Sequence, residues 1–355
     1  MASRPATAAP TAQEEAVGAQ APRPSRPRTA RRAGRRERYA PYLLIAPLLA
    51  IFAGFYLWPA LVTVLSSFFE WGLLRPWSLV EPDRWDFVGL ANYSETLTDP
   101  SFWNAALNTA IWLVVFPLLV ASFSLLVSIL IWYLSRGGAA FRTMFVLPMT
   151  ISLAAAGVIW SFVYNPDPQI GMLNAVLDKL GILGSDWRLG PLELHVGAWL
   201  SDPGVLHLGF ADIRLTNLAL VVPAFWVFSG FGVITLTAGL TAVSYELVEA
   251  AKVDGANAWQ VARHVLVPAL RGPLVVVGVV SVIFALRTFD IVYVMTEGGP
   301  AQDTMVLALL LWQQAFAFLD TPQAGLATAV AVLLSAVLVA GSYRYLRQLL
   351  AGRPR

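Results

Sequence analysis

The sequence predicts an all-α membrane protein with six transmembrane helices. Three observations carry that expectation: six long apolar segments, a composition too poor in charge for a soluble domain, and basic residues gathered on alternate connections. Of the 355 residues, 57% are hydrophobic and 13% charged, with a mean hydropathy of +0.64. Soluble domains hold about 25% charged residues. A helix crosses the hydrocarbon core in about 20 residues, and the apolar runs lack the short alternating pattern of a transmembrane barrel.

Taken in order, residues 1–38 are rich in Ala, Pro and Arg, with nine arginines and three glutamates. Such a segment cannot bury a core and is expected to be a disordered basic tail on the cytoplasmic side. Its arginines either lie against anionic headgroups or stay solvated and fix topology. The apolar run behind it is far longer than the h-region of a signal peptide. The six segments are 41–69, 105–134, 143–164, 217–243, 273–295 and 322–342; the fifth carries Arg287 and Asp290. Residues 305–319 are apolar but too short to span, which fits an interfacial or re-entrant piece. The organisation expected is a tail (1–38), a first transmembrane helix with an external lead-in (39–104), a five-helix core (105–345) and a second basic cytoplasmic tail (346–355). No internal repeat and no second soluble domain is visible.

The connections sort by charge. Residues 1–40, 135–142, 241–272 and 343–355 hold 18 Lys and Arg. The opposite set, 70–104, 165–216 and 296–321, holds 5 Lys and Arg against 15 Asp and Glu. Positive-inside bias therefore places both termini in the cytoplasm. Within the external segment 165–216, residues 170–183 place Leu173, Val176, Leu177 and Leu180 at helical spacing, as in an amphipathic helix on the outer membrane surface.

Several chemistries are excluded. The absence of cysteine removes disulfides, thiolate catalysis and cysteine-held metal. His195, His207 and His264 are scattered and read as ordinary polar loop residues. The only lysines, Lys179 and Lys252, do not sit in a phosphate-binding loop. No catalytic residue, metal site, cofactor or nucleic-acid partner is expected, and the chain is not read as an enzyme.

The informative connection lies between the fourth and fifth segments. Glu246 to Lys252 are good helix formers. Gly255 suits the left-handed turn that ends a helix. Asp254 is placed to stabilise the start of the next helix, Ala256 to Leu266 are again helix-compatible, and Pro268 biases its predecessor out of helix. The product is a helical elbow in the cytoplasm. Small Ala250 and Ala251 permit close approach of another surface, and Glu249 offers it a charge. On these grounds alone the elbow is either a docking element or a plain solvated hairpin.

The string Glu249-Ala-Ala-x-x-Asp-Gly-Ala256, followed by Pro268, closely resembles the EAA loop of binding-protein-dependent ABC importer permeases; Ala262 and Val265 depart from the motif's aromatic and Ile positions. Further stretches are similar to the carbohydrate-uptake branch, which includes maltose-type and glycerol-3-phosphate-type subunits. These are Phe87-Val-Gly-Leu-Ala-Asn92-Tyr93, Asn104-Ala-Ala-Leu-Asn108-Thr109, Phe141 to Pro148, Ile159-Trp160, and Phe289-Asp290 through Gly298-Gly299-Pro300. The resemblance implies a type I ABC importer permease fold in the bacterial plasma membrane with a cytoplasmic coupling helix. It implies two ATPase subunits, a second homologous permease subunit and an extracytoplasmic solute-binding protein as partners. Glu249, Ala250, Ala251, Asp254, Gly255 and Pro268 would carry the ATPase contact. The implied cargo is an oligo- or disaccharide, with glycerol-3-phosphate or a polyol as the alternative.

Candidates for the translocation path are Arg287, Asp290, Trp160, Trp226, Phe289 and Tyr293. A charge at mid-membrane costs about 2.5–3.5 kcal/mol on insertion scales. Arg287 and Asp290, spaced i and i+3, either neutralise each other on one helix or line a polar path. The aromatics either stack on a sugar ring or sit at the membrane interface. Ser229, Gly230 and Gly232 read as close-packing positions. Two rival functions are an ion-driven secondary transporter, which needs no ATPase dock, and a non-transporting membrane scaffold.

Overall fold

The computed structural model describes residues 36–72, 78, 86–134, 138–209, 212–317 and 323–351, and side chains within 42–340 of these. The expectations for residues 1–35, 318–322 and 352–355 lie outside the described residues.

The chain divides into two units, Met1–Ala60 and Leu61–Arg355. The first holds α1 (Arg36–Phe52), a π-helical turn (Ala53–Leu57) and the first three residues of α2 (Trp58–Ser66). Pro59 has no N–H for the Phe55 carbonyl, and a wider turn accommodates that loss. Every side chain described from Tyr42 to Ala60 is exposed, as suits an element whose solvent is lipid or another chain.

After a short α3 (Ala91–Thr98), the second unit is built on α4 (Pro100–Tyr133), α8 (Leu215–Thr241) and α12 (Arg271–Leu286). Trp112, Phe116 and Val120 of α4 are fully buried against Leu220, Val221 and Leu236 of α8 and Val277 of α12. Phe116 stacks on Phe284 at 4.9 Å. Lipid offers no hydrophobic drive between helices, so small residues and buried hydroxyls set the contact. A Cβ on Gly232 would collide with Ser124 Oγ, so α4 and α8 approach closely there. Ser124 Oγ donates to the Ser229 carbonyl and Ser128 Oγ to the Val233 carbonyl, both at 3.3 Å.

Six unbroken spans are not what the described residues form. Tyr42–Ser66, Pro100–Tyr133 and Leu215–Thr241 are continuous and apolar enough to cross a membrane, and the number rises to five if each of two bent pairs is one span. The first pair replaces the expected third span: Gly138–Thr150 and Leu153–Val163 meet at 101°. Here α5 (Gly138–Val146) tightens into a 3-10 turn around Pro148, and the Ser152 hydroxyl caps a new helix, α6 (Leu153–Val163). The second is Ala258–Ala269 with Arg271–Leu286, at 68°. Farther on, the expected fifth span stops at Leu286 and restarts as α13 (Asp290–Thr296). The 305–319 run contains α14 (Leu307–Trp312) with a π-helical turn (Gln313–Ala317), and α15 covers Ala324–Ala351. Leu309 of α14 is fully buried in the main core, so this short helix is packed inside rather than laid on a surface.

The all-α expectation also needs correction. Beyond a short pairing of β1 (Phe69–Glu70) with β2 (Asp86–Phe87), the 165–216 connection folds as α7 (Met172–Lys179) followed by four antiparallel strands. These are β3 (Asp186–Leu189), β4 (Leu192–His195), β5 (Gly204–His207) and β6 (Asp212–Arg214), in that order, with Arg188 opposite Glu193 and Leu206 opposite Ile213. Buried Asn174 of α7 ties the module together, bonding the Asn165 and Gly197 carbonyls at 3.0 Å and accepting from Trp199 Nε1 at 2.8 Å.

Candidate functional site

The elbow begins at Ser244, whose hydroxyl accepts from Glu246 N and starts α9 (Tyr245–Val253). Glu246 in the first turn and Lys252 in the last complement the helix dipole. The helix ends in a Schellman motif: Ala256 N donates to the Ala251 carbonyl at 2.9 Å and Gly255 N to the Lys252 carbonyl at 3.0 Å. Gly255 takes φ +84°, the left-handed conformation foreseen for it. The next helix is capped not by Asp254 but by Asn257. Asn257 Oδ1 accepts from Gln260 N at 2.9 Å, while Gln260 Oε1 accepts from Asn257 N at 2.8 Å. This reciprocal capping box outcompetes a carboxylate that already closes α9.

The helical stretch then runs through α10 (Ala258–Val261), a π-helical turn (Ala262–Leu266) and α11 (Val267–Ala269). Pro268 does not turn its predecessor out of helix: Val267 is helical at φ −62°, ψ −44°. The π-helical turn before it absorbs the missing donor, and the bend falls at Leu270.

One face of the elbow is seated. Val248, Val261, Leu266 and Leu270 are buried with Leu240 of α8, against Ile129 and Trp132 of α4. The other face is open: Glu249, Ala250, Asp254 and Gly255 are exposed and Ala251 is half-buried. A cleft of about 290 Å³ lies between the helices, lined by Ala251, Asp254, Gly255, Ala256, Gln260 and His264. Sequence reasoning missed two exposed apolar side chains beside it, Val253 (86% exposed) and Trp259 (70%). The signal was present, since neither has a reason to sit in a polar hairpin.

The second candidate region is the interruption between α12 and α13. Arg287 closes α12, and Phe289 at φ −139°, ψ −59° leaves helical geometry before Asp290 opens α13. This break removes the i, i+3 relation on which an ion pair depended. Among the described residues no ion pair joins Arg287 to Asp290, and both are exposed. They line a cavity of about 290 Å³ with Leu153, Phe228, Phe284 and Phe289.

The aromatic candidates fall into two groups. Phe289 stacks on Tyr293 at 5.3 Å, and both meet the edge of Trp312 at 5.8 and 5.0 Å. Trp312 and its neighbour Phe316 were not foreseen, because the short 305–319 run carried no sign that it enters the core. Trp160 packs on Trp226 at 6.1 Å and on Tyr164 at 5.3 Å. A cavity of about 470 Å³ beside this group is lined by Trp160, Tyr164, Leu173, Trp199 and Leu218. Of the histidines, His207 contacts Asp212 at 2.7 Å and His195 contacts Asp202 at 3.4 Å, while His264, in the elbow cleft, contacts the Gln260 carbonyl.

Comparison with known proteins fits this geometry. The family model described as binding-protein-dependent transport system inner membrane component matches residues 96–352. A probable ABC transporter permease of Pyrococcus horikoshii is 30% identical over 313 residues, covering 88% of this chain and 97% of that protein. An alpha-glucoside transport system permease of Rhizobium meliloti is 32% identical over 283 residues, covering 78% and 73%. The crystal structure of a bacterial ABC transporter that imports the acidic polysaccharide alginate contains a chain of the same fold, with a TM-score of 0.66 at 18% identity over 86% of this chain and 93% of that one. With more than half of its length matched by the family model, the chain belongs to the binding-protein-dependent transport system inner membrane components.

Proposed function

We propose that this chain is a permease subunit of an ATP-driven importer for an oligo- or disaccharide, with residues 245–269 as its coupling helix. The observation that carries this reading is the elbow: a Schellman-closed turn, seated on α4 and α8 by one face and offering Glu249, Ala250, Gly255, Val253 and Trp259 on the other. The chain supplies no phosphate loop, so ATP hydrolysis belongs to partner chains, two ATPase subunits whose closure on ATP pushes the elbow. A displacement of a seated elbow moves α4 and α8 with it as near-rigid bodies. A second homologous permease completes the pathway, and a solute-binding protein delivers cargo to the external side. Both termini lie in the cytoplasm; each broken helix taken as one crossing gives five spans, and α15 is the sixth.

In this reading Arg287, Asp290, Phe289 and Tyr293 border the path. A sugar needs a flat apolar surface for its ring and paired donors and acceptors for its hydroxyls. The Phe289–Tyr293 stack supplies the first, and two charges unpaired among the described residues supply the second. Reconstitution of the complete importer tests both parts. Arg287→Gln with Asp290→Asn should leave ATPase assembly intact and reduce sugar uptake; unchanged uptake would remove these residues from the path.

A further inference from the structure

Two sequence stretches, Asn104–Thr109 and Gly298–Pro300, have no role in the coupling elbow, yet the structure brings them together. The loop between α13 and α14 is compact, with Glu297, Ala301 and Gln302 all at positive φ. Fully buried Thr304 closes it, its hydroxyl meeting Thr296 Oγ1 and donating to the Gly299 carbonyl, both at 2.8 Å. From α4, Asn104 Nδ2 donates to the Gln302 carbonyl at 2.6 Å, and Asn108 Nδ2 to the Asp303 and Met305 carbonyls at 3.0 and 2.8 Å. Thr109 Oγ1 accepts from Leu307 N at 3.0 Å. From α8, Asn217 Nδ2 donates to Asn108 Oδ1 and to the Asp303 carbonyl, each at 3.0 Å. Arg214, just before α8, pairs with the Asp303 carboxylate at 3.5 Å.

The other ends of α4 and α8 seat the elbow, through Ile129, Trp132 and Leu240. Between the two ends the helices are joined by the Ser124–Ser229 and Ser128–Val233 bonds and by the close approach at Gly232. The pair is therefore one body with the elbow at one end and the 297–306 loop at the other. That loop connects α13, which carries Asp290 and Tyr293, to α14, which carries Trp312.

We propose that Asn108 and Asn217 are positioning residues that fasten this loop, and with it the Phe289–Tyr293–Trp312 wall, to the α4–α8 body. Movement of the elbow then reaches the translocation path as a rigid displacement. Simple space filling does not account for the pair. Asn217 is fully buried and its Oδ1 has no partner, a loss that an apolar side chain of similar shape avoids. What the amides supply, and leucine does not, is donors to the loop carbonyls.

The inference rests on the coupling reading, and one experiment separates the two. The complete importer is reconstituted with wild-type, Asn108→Leu or Asn217→Leu permease, and sugar transported per ATP hydrolysed is measured beside ATPase co-purification. If wild-type uptake does not require ATP, the coupling reading itself fails. If it does, both variants should co-purify the ATPase and hydrolyse ATP normally while sugar per ATP falls about tenfold, within the usual range of coupling free energies. A wild-type ratio in either variant overturns the proposal. Should a leucine variant fail to assemble, the wild-type background decides. The chain has no cysteine, so Asn104→Cys with Gln302→Cys is a unique pair. Bridging it with a short thiol reagent should preserve sugar per ATP if the tether persists through the cycle, and a blocked cycle overturns the rigid attachment.

Discussion

Gly255→Ala isolates the elbow's turn from everything around it. Gly255 sits at φ +84° with no heavy atom within 4 Å of where a Cβ would stand, so alanine meets no steric clash. What it meets is the left-handed backbone penalty of an L-residue, about 1–2 kcal/mol. At about 1.4 kcal/mol per tenfold, the population with the correct turn falls by about 5–30-fold, with the loss borne by whatever competes for the freed backbone. If the turn must be formed to enter an ATPase cleft, the apparent affinity falls by up to the same factor. Gly255→Asn should fall less, because Asn tolerates this region better than Ala. The assay is titration of the ATPase subunit onto detergent-purified permease variants, with far-UV circular dichroism to show that the helices persist. Equal affinities for Gly, Asn and Ala would refute the docking of this turn.

Four other outcomes follow from the packing. Leu266→Ala removes a fully buried anchor of the elbow and should destabilise its seat by about 2–5 kcal/mol, read as accelerated hydrogen exchange across 245–269. Asn257→Ala removes one half of the capping box and should weaken the following helix by about 1 kcal/mol, with the exchange change confined to 257–266. Gly232→Ala drives a methyl into Ser124 Oγ and should lower the thermal midpoint through about 1–3 kcal/mol of overpacking; adding Ser124→Gly should restore it in a double-mutant cycle. Trp312→Ala removes the ring packed against Phe289 and Tyr293 and should raise the KM for sugar more than it lowers ATP hydrolysis.

The parts legible in the sequence are those whose cause is local. Glu246 to Lys252 are helix formers and Gly255 is the residue of left-handed turns, so the elbow could be drawn from a dozen residues. The cap was legible too, had Gln260 been read with Asn257 as a box rather than Asp254 as a lone carboxylate. Helix breaks inside apolar runs were not, because hydropathy is blind to backbone direction. The only hints were Pro148 with Ser152 in the third segment, and two charges flanking Thr288 and Phe289 in the fifth. Strands of three or four residues, as in β3 to β6, are shorter than the alternation needed to distinguish them from loop. The Asn108–Asn217–Asp303 network joins positions more than 80 residues apart and leaves no local pattern at all.

The central claim is that ATP hydrolysed by a partner chain enters through the Glu249–Gly255 elbow and drives uptake. Its most direct measurement is labelled oligosaccharide uptake into proteoliposomes holding this permease, its partner permease and the ATPase, with the solute-binding protein outside. The account predicts uptake that needs ATP inside the vesicles, ignores an imposed proton or sodium gradient, and is lost in Gly255→Trp although that permease still inserts. Uptake driven by an ion gradient without ATP, or normal ATP-driven uptake by Gly255→Trp, would contradict it.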